Sequence, residues 1–309
     1  DKITPGLLIA AGRLNIPAIM VSGGPMETGC FRDQKVGYVD LMEAQGKVKR
    51  GLMTREELSE FEKKALPGCG ACNLLGTANT MNYLTEALGM ALPGSTALAN
   101  SSERISLAKE TGKKIMELFE KDIKVRDILT EEAFHNALTV NMAIGGSTNS
   151  LLHLPAIAHS AGIDLDMNII RDIGSKTPHL VKLKPAGNHF PADLDKAGGI
   201  TALMTRLEKN GLLKDNITVT SKTVTNNLND SKVLDNSIIR SLDDPYQEEG
   251  GLTVLYGNIA PEGSVCKKAA VSEKMMEHHG KARVFECEED AVEAIYNGEI
   301  NSGDVVVIR

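Results

Sequence analysis

The sequence lacks an excess of positive charge. Its 41 acidic residues outnumber 34 basic ones, for a net charge of −7 at pH 7. Nucleic-acid binding needs a basic face to displace counterions, so DNA or RNA is excluded as a main partner. It also lacks any apolar run approaching the roughly 20 residues that span a bilayer, so no membrane partner is expected. The first apolar stretch, residues 7–11, is cut by Gly12 and Arg13 and does not make a signal-peptide core. Cysteine is sparse and odd in number: five residues in 309 fit a reducing compartment better than a disulfide framework. The expected location is the cytoplasm. No internal repeat or low-complexity tract is visible.

What is present is ordinary for a globular protein: 24% charged and 42% hydrophobic residues, in a chain long enough for two domains and a large core. The stretch that organises it is Leu66-Pro67-Gly68-Cys69-Gly70-Ala71-Cys72-Asn73-Leu74-Leu75-Gly76-Thr77, a glycine-rich loop running into a helical segment over 81–90. Cys72 is expected where the loop meets the helix, and backbone N–H groups and the helix dipole there favour a thiolate. An inert structural turn is the alternative. A zinc ribbon needs a second CxxC, which Cys30, Cys266 and Cys287 do not supply. A thioredoxin-type CxxC follows a strand, whereas this one follows a charged helix.

Along the chain, residues 4–14 read as a helix, and the continuously apolar 16–21 reads as a buried parallel strand. That strand empties into Ser22-Gly23-Gly24-Pro25, a position where open α/β sheets hold ligands. Helices are expected over 38–45, over 54–64 with Thr54 and Glu57 as a capping box, over 101–120, and from Thr130. Gly145-Gly146-Ser147-Thr148-Asn149 then breaks the pattern before a helix over 151–160. This break reads either as an anion cradle at a helix N-terminus or as a tight turn capped by Ser147 or Thr148, and the two are compatible. His153 and His159 lie six apart and do not share a metal-binding face. A helical hairpin is expected over 193–213.

From about residue 226 short β-rich runs take over, at 252–256, 283–286 and 305–308. The expected organisation is therefore an α/β chain: a three-layer α/β/α domain over 1–225 and part of a β-barrel-like, strand-rich domain over 226–309. Glu286, Glu288, Glu289 and Asp290 read as a solvated helix start rather than a metal site.

The loop Pro67-Gly68-Cys69-Gly70-Ala71-Cys72-Asn73-Leu74-Leu75-Gly76-Thr77 resembles the cluster-binding segment of the dihydroxy-acid and sugar-acid dehydratase family. Asp1-Lys2-Ile3-Thr4-Pro5-Gly6 resembles the tail of that family's Cys-Asp-Lys-x-x-Pro-Gly signature. Gly23-Gly24-Pro25-Met26, the 145–149 break, Lys184-Pro185-Ala186-Gly187, Gly250-Gly251-Leu252 and Gly257-Asn258-Ile259-Ala260-Pro261-Glu262-Gly263 follow in the family's order along nearly the whole chain.

The resemblance implies a hydro-lyase that dehydrates 2,3-dihydroxy carboxylates to 2-keto acids, foremost in valine and isoleucine synthesis. A sugar-acid dehydratase acting on an aldonate or 6-phosphogluconate is the alternative within the family. A non-catalytic remnant and a redox CxxC protein are the alternatives outside it. The implied cofactors are a [2Fe–2S] cluster and Mg²⁺, and the implied partners are a small dihydroxy-acid substrate and a second copy in a homodimer. By the same resemblance Cys72 is a cluster ligand, Asp1 a magnesium ligand, and Lys2 a carbamylated magnesium ligand. Cys69 is a neighbour, expected as a small buried thiol, and Cys30, Cys266 and Cys287 match no cluster position. Family members are longer at both ends, so the sequence reads as an internal portion of a larger enzyme. The base serine is expected beyond Arg309, with no catalytic base inside the chain. A single thiolate cannot hold a [2Fe–2S] unit, so residues 1–309 alone are expected to bind far less than one cluster per chain.

Overall fold

A computed structural model describes residues 2–309; Asp1, one of the expected metal ligands, lies outside the described residues. The chain divides into two compact units, Asp1–Ala270 and Val271–Arg309.

The first unit begins with α1 (Ile3–Leu14), followed by the hairpin of β1 (Gly29–Phe31) and β2 (Gln34–Val36), then α2 (Tyr38–Lys49) and α3 (Arg55–Ala65). At α3 the expected capping box forms, with Thr54 Oγ1 accepting from Glu57 N and a Glu57 carboxylate oxygen accepting from Thr54 N, each at 3.1 Å. Two orphan amides are satisfied at once. These elements close a small core of their own from Phe31, Val36, Leu41, Ala44, Phe61 and Ala65.

Next come α4 (Thr77–Ala87), α5 (Ser102–Glu120), α6 (Val125–Ile128), α7 (Glu131–Ile144), α8 (Ser150–Ala161) and α9 (Met167–Lys176). Ser101 caps α5 and Thr130 caps α7 through their hydroxyls, as the sequence predicts. Helix α4 is buried from Asn79 to Ala87 without a solvent face, and α7 from Ala133 to Ile144 is nearly so. A helix buried on all sides belongs at the centre of a core, even where, as in α4, several of its buried side chains are polar. Here α4 packs on α7, on the helix Gly199–Glu208, on α1 and on α8. The remaining helices of the unit are α10 (Pro191–Lys196), α11 (Gly199–Glu208) and α12 (Val224–Leu228), and the hairpin of β3 (Thr253–Leu255) and β4 (Ser264–Cys266) follows.

The second unit holds β5 (Ala282–Phe285), α13 (Glu288–Tyr296) and β6 (Val305–Ile308), with β5 and β6 parallel and α13 as the crossover. Glu288, Glu289 and Asp290 occupy the first turn of α13, the solvated helix start expected of them.

The chain is thus mixed α/β. Its strands pair two at a time in three small sheets, and no barrel closes among the described residues. The strand expected over 16–21 does not form: Pro17 offers no N–H, and Met20 N donating to Met90 O at 2.8 Å ties the segment to the chain beyond α4 without a ladder. Strand β6 exposes every residue, in contrast to the buried strand its apolar run resembles. Among the described residues, no helix is long and apolar enough to cross a membrane.

Candidate functional site

The loop 66–76 is held by backbone hydrogen bonds and by two asparagine side chains. Ala71, between the two cysteines, donates to Gly24 O at 2.9 Å and accepts from Met26 N at 2.8 Å. The glycine-proline segment after residue 22 therefore lies directly along the cysteine loop. Gly70 has φ +124°, and a Cβ there would come within 2.7 Å of Met26 N, so this contact tolerates no side chain.

Two buried asparagines fix the rest. Asn73 donates from Nδ2 to Ala65 O at 2.9 Å and Glu27 O at 3.2 Å, and its Oδ1 accepts from Tyr38 N at 3.0 Å. Asn79, in the first turns of α4, donates to the carbonyls of Cys72 and of Leu74. Leu75 N donates to Lys184 O at 2.8 Å, which brings the Lys184-Pro185-Ala186-Gly187 segment to the same loop.

The thiols of Cys69 and Cys72 are both free and exposed. For Cys69 this corrects the expectation of a buried neighbour: the loop buries Asn73 and Leu75 and leaves both thiols outside. Cys72 does not stand at the helix end either. Asn73–Gly76 intervene, and Thr77 is the first residue of α4.

What does meet the start of α4 is the 145–149 loop. Thr77 Oγ1 and Ser147 Oγ share a hydrogen bond at 3.0 Å, Asn149 Nδ2 donates to Thr77 Oγ1 at 2.9 Å, and Ser147 N donates to Thr80 Oγ1 at 3.0 Å. A Cβ on Gly146 would sit 2.1 Å from Asn141 Oδ1 and 2.9 Å from Thr80 Cγ2, so only glycine lets α7 hand over to α8 this close to α4. Of the two readings of this break, the turn is visible: Ser147 Oγ accepts from Asn149 N at 3.3 Å and Ser147 O from Ser150 N at 3.0 Å. Neither Ser147 nor Thr148 is the N-cap, a position that Asn149 takes without a side-chain bond.

Lys2 is exposed immediately before α1, which packs lengthwise on α8 and also touches α4. His153, one turn into α8, is pushed below the usual imidazole range by burial and then by the charge of Lys2. The Lys2 end of the chain, α8 and the start of α4 thus share one neighbourhood. Among the described residues no three His, Cys, Asp or Glu side chains converge. Cys30, Cys266 and Cys287 are free and lie on β1, on β4 and just ahead of α13.

Sequence reasoning missed two buried ionic features. In the last turn of α4, Glu86 accepts from Gly94 N, Ser95 N and Thr201 Oγ1, and burial raises its carboxyl above the usual range. Beside it Arg104 donates to Ser95 O at 2.9 Å, to Ala97 O and to Ser22 O. Asp195, raised by burial, accepts from Thr96 Oγ1 at 2.8 Å. The second feature is Lys267, whose Nζ donates to Gly145 O at 2.8 Å and Gly146 O at 2.9 Å. Nothing in the local sequence around Lys267 distinguishes it from Lys268, which pairs with Glu249 at the surface.

Compared with known proteins, residues 1–227 match the family model described as dihydroxy-acid/6-phosphogluconate dehydratase N-terminal, and residues 237–309 match its C-terminal counterpart. Among similar curated proteins are the dihydroxy-acid dehydratases of Acetivibrio thermocellus, 56% identical, and Ruminiclostridium cellulolyticum, 55% identical. That of Caldicellulosiruptor saccharolyticus is 54% identical. Each alignment covers 100% of this chain and 56% of the relative, so the chain spans little more than half the length of the curated relatives it matches.

Proposed function

The chain belongs to the dihydroxy-acid/6-phosphogluconate dehydratase family, and from that premise we propose that it forms part of a hydro-lyase converting a 2,3-dihydroxy carboxylate to a 2-keto acid. The relatives' names favour the dihydroxy acids of valine and isoleucine synthesis over aldonates. The observation that carries the reading is the meeting of three separate family-like segments, 23–26, 66–76 and 145–149, around the start of one buried helix. The matched ranges also support a domain boundary near residue 226 in the family's own terms.

The reaction must remove a weakly acidic Cα proton and expel hydroxide, a poor leaving group. A Lewis acid at each centre supplies that chemistry when bound. We propose Cys72 as one soft donor for a [2Fe–2S] cluster, and Asp1 with carbamylated Lys2 as hard donors for Mg²⁺. The described residues do not by themselves complete either donor set.

What the chain's own residues supply is position. Asn73 and Asn79 fix the backbone on both sides of Cys72, leaving its thiol unengaged and exposed. The hydroxyls of Thr77 and Ser147 and the amide of Asn149 form a polar group at the start of α4, suited to the hydroxyl groups of a small sugar-like or branched acid. Further proposals are a cytoplasmic location and a homodimer.

The test uses the whole enzyme that carries this chain. Turnover of 2,3-dihydroxy-isovalerate is expected to exceed that of a panel of aldonates. Cys72→Ser is expected to lower it by more than the roughly 100-fold that loss of a supporting residue costs. Preference for an aldonate would move the assignment to the sugar-acid branch. An active Cys72→Ser enzyme would remove Cys72 from the ligand set.

A further inference from the structure

Lys267 is a cation without an anion. Among the described residues no carboxylate forms an ion pair with it; its two partners are the carbonyls of Gly145 and Gly146, where α7 ends and the 145–149 loop begins. Carbonyls at a helix C-terminus carry partial negative charge and have no partner within the helix, so an ammonium is well suited to them. The position is also expensive, because the ammonium gives up water and receives no full counter-charge.

The two bonded residues lie directly before Ser147, which contacts Thr77 and Thr80 at the start of α4. A continuous set of contacts therefore runs from Lys267 through the loop to the helix that follows the Cys72 segment. Lys267 lies just after β4, in the range matching the family's C-terminal model, whereas the loop lies in the range matching its N-terminal model.

We propose that Lys267 is a positioning residue, whose ammonium holds the Gly145–Gly146 carbonyls and thereby sets the 145–149 loop against Thr77 and Thr80. That this loop borders a substrate rests on the dehydratase reading; the clamp itself does not.

The charged groups around Lys267 leave it free to respond to pH. His179, packed against Gly145, is held neutral, its imidazole pushed down to about 4 by burial, with Lys182 and then Lys267 adding to the effect. Lys268 is neutralised by Glu249. Desolvation alone lowers Lys267 to about 8. The clamp is consequently charge-assisted at neutral pH and loses that assistance as pH rises through 8. Global stability moves the opposite way. Between about 8 and the ordinary lysine value of 10.5 the unfolded chain binds more protons than the native one, so the contribution of Lys267 to stability rises with pH.

Amide hydrogen exchange of a peptide spanning residues 145–150, corrected for the intrinsic pH dependence, tests the clamp on the enzyme that carries this chain. Lys267→Met is expected to speed exchange at pH 7 by about tenfold, the weight of one hydrogen bond to a charged group. Wild type is expected to approach that faster rate between pH 7 and 9.5, while Lys267→Arg, whose guanidinium does not titrate there, stays protected throughout. Unchanged exchange in Lys267→Met, or the same pH profile in wild type and Lys267→Arg, overturns the proposal. If Lys267→Met does not fold, the comparison of wild type with Lys267→Arg still decides. Failure of the dehydratase reading would appear separately, as no turnover of any dihydroxy acid with the exchange pattern intact.

Discussion

The two ends of α4 are built on opposite plans. At its start the Cys72 loop is held by main-chain hydrogen bonds and by two asparagines, and the thiols are left exposed. At its far end the side chains themselves are the fasteners: Glu86, Arg104 and Asp195 are spent on loop amides, carbonyls and a hydroxyl. The contrast separates reactive groups left uncommitted from ionisable groups consumed by structure. A titratable cluster with perturbed pKa is the usual sign of a functional site. Here a perturbed cluster is the fastening, and the exposed sulfur lies at the other end.

The largest effect that can break this comparison comes from Arg104→Ala set against Cys72→Ser. Removing a buried guanidinium leaves the Ser95 and Ala97 carbonyls without their donor and takes a nearby positive charge from Asp195, and about 3–5 kcal/mol of stability should be lost. Cys72→Ser, at an exposed position, should change stability by no more than about 0.5 kcal/mol while removing activity. Urea denaturation of both variants checks this. Comparable losses in the two would erase the distinction between the ends.

A smaller effect is expected at Asn73, which belongs to both plans because it is buried yet serves the cysteine loop. Asn73→Ala leaves Ala65 O, Glu27 O and Tyr38 N without their partner, a cost of about 2–3 kcal/mol. It should also lower turnover, since the backbone ahead of α4 loses an anchor. An Asn73→Ala enzyme with normal turnover and reduced stability would mean that the loop keeps its shape without this anchor.

Much of this was legible in the residues. The Thr54–Glu57 box, the Ser101 and Thr130 caps and the acidic first turn of α13 follow from local hydrogen-bond chemistry and are where they were expected. The strand over 16–21 was not, because a short apolar run cannot distinguish a sheet strand from extended chain laid against a core, and Pro17 works against a ladder. Cys69 differs for a related reason: a free thiol is most often buried, yet this glycine-rich loop leaves it exposed. Glu86, Arg104 and Lys267 left no signal, since their partners are backbone groups brought close only by the tertiary fold.

The smallest effect concerns pH and refines the far end of α4. Burial raises the Glu86 carboxyl above its ordinary value of 4.5, against the opposing pull of its hydrogen bonds from Ser95, Thr201 and Gly94. A folded-state pKa above the unfolded one means the native protein binds more protons in the window that starts near 4.5. The stabilising contribution of Glu86 is therefore complete below that value and declines as pH rises through the raised folded-state pKa. Glu86→Gln keeps an acceptor for the Gly94 and Ser95 amides and turns its NH₂ toward Thr201 Oγ1, at a cost of about 1 kcal/mol at low pH. Being uncharged, it should lose the pH-dependent decline. Stability curves of wild type and Glu86→Gln measured from pH 4 to 8 should therefore converge as pH rises. Parallel curves would mean that Glu86 is ionised with an ordinary pKa and that its three donors fully offset the burial.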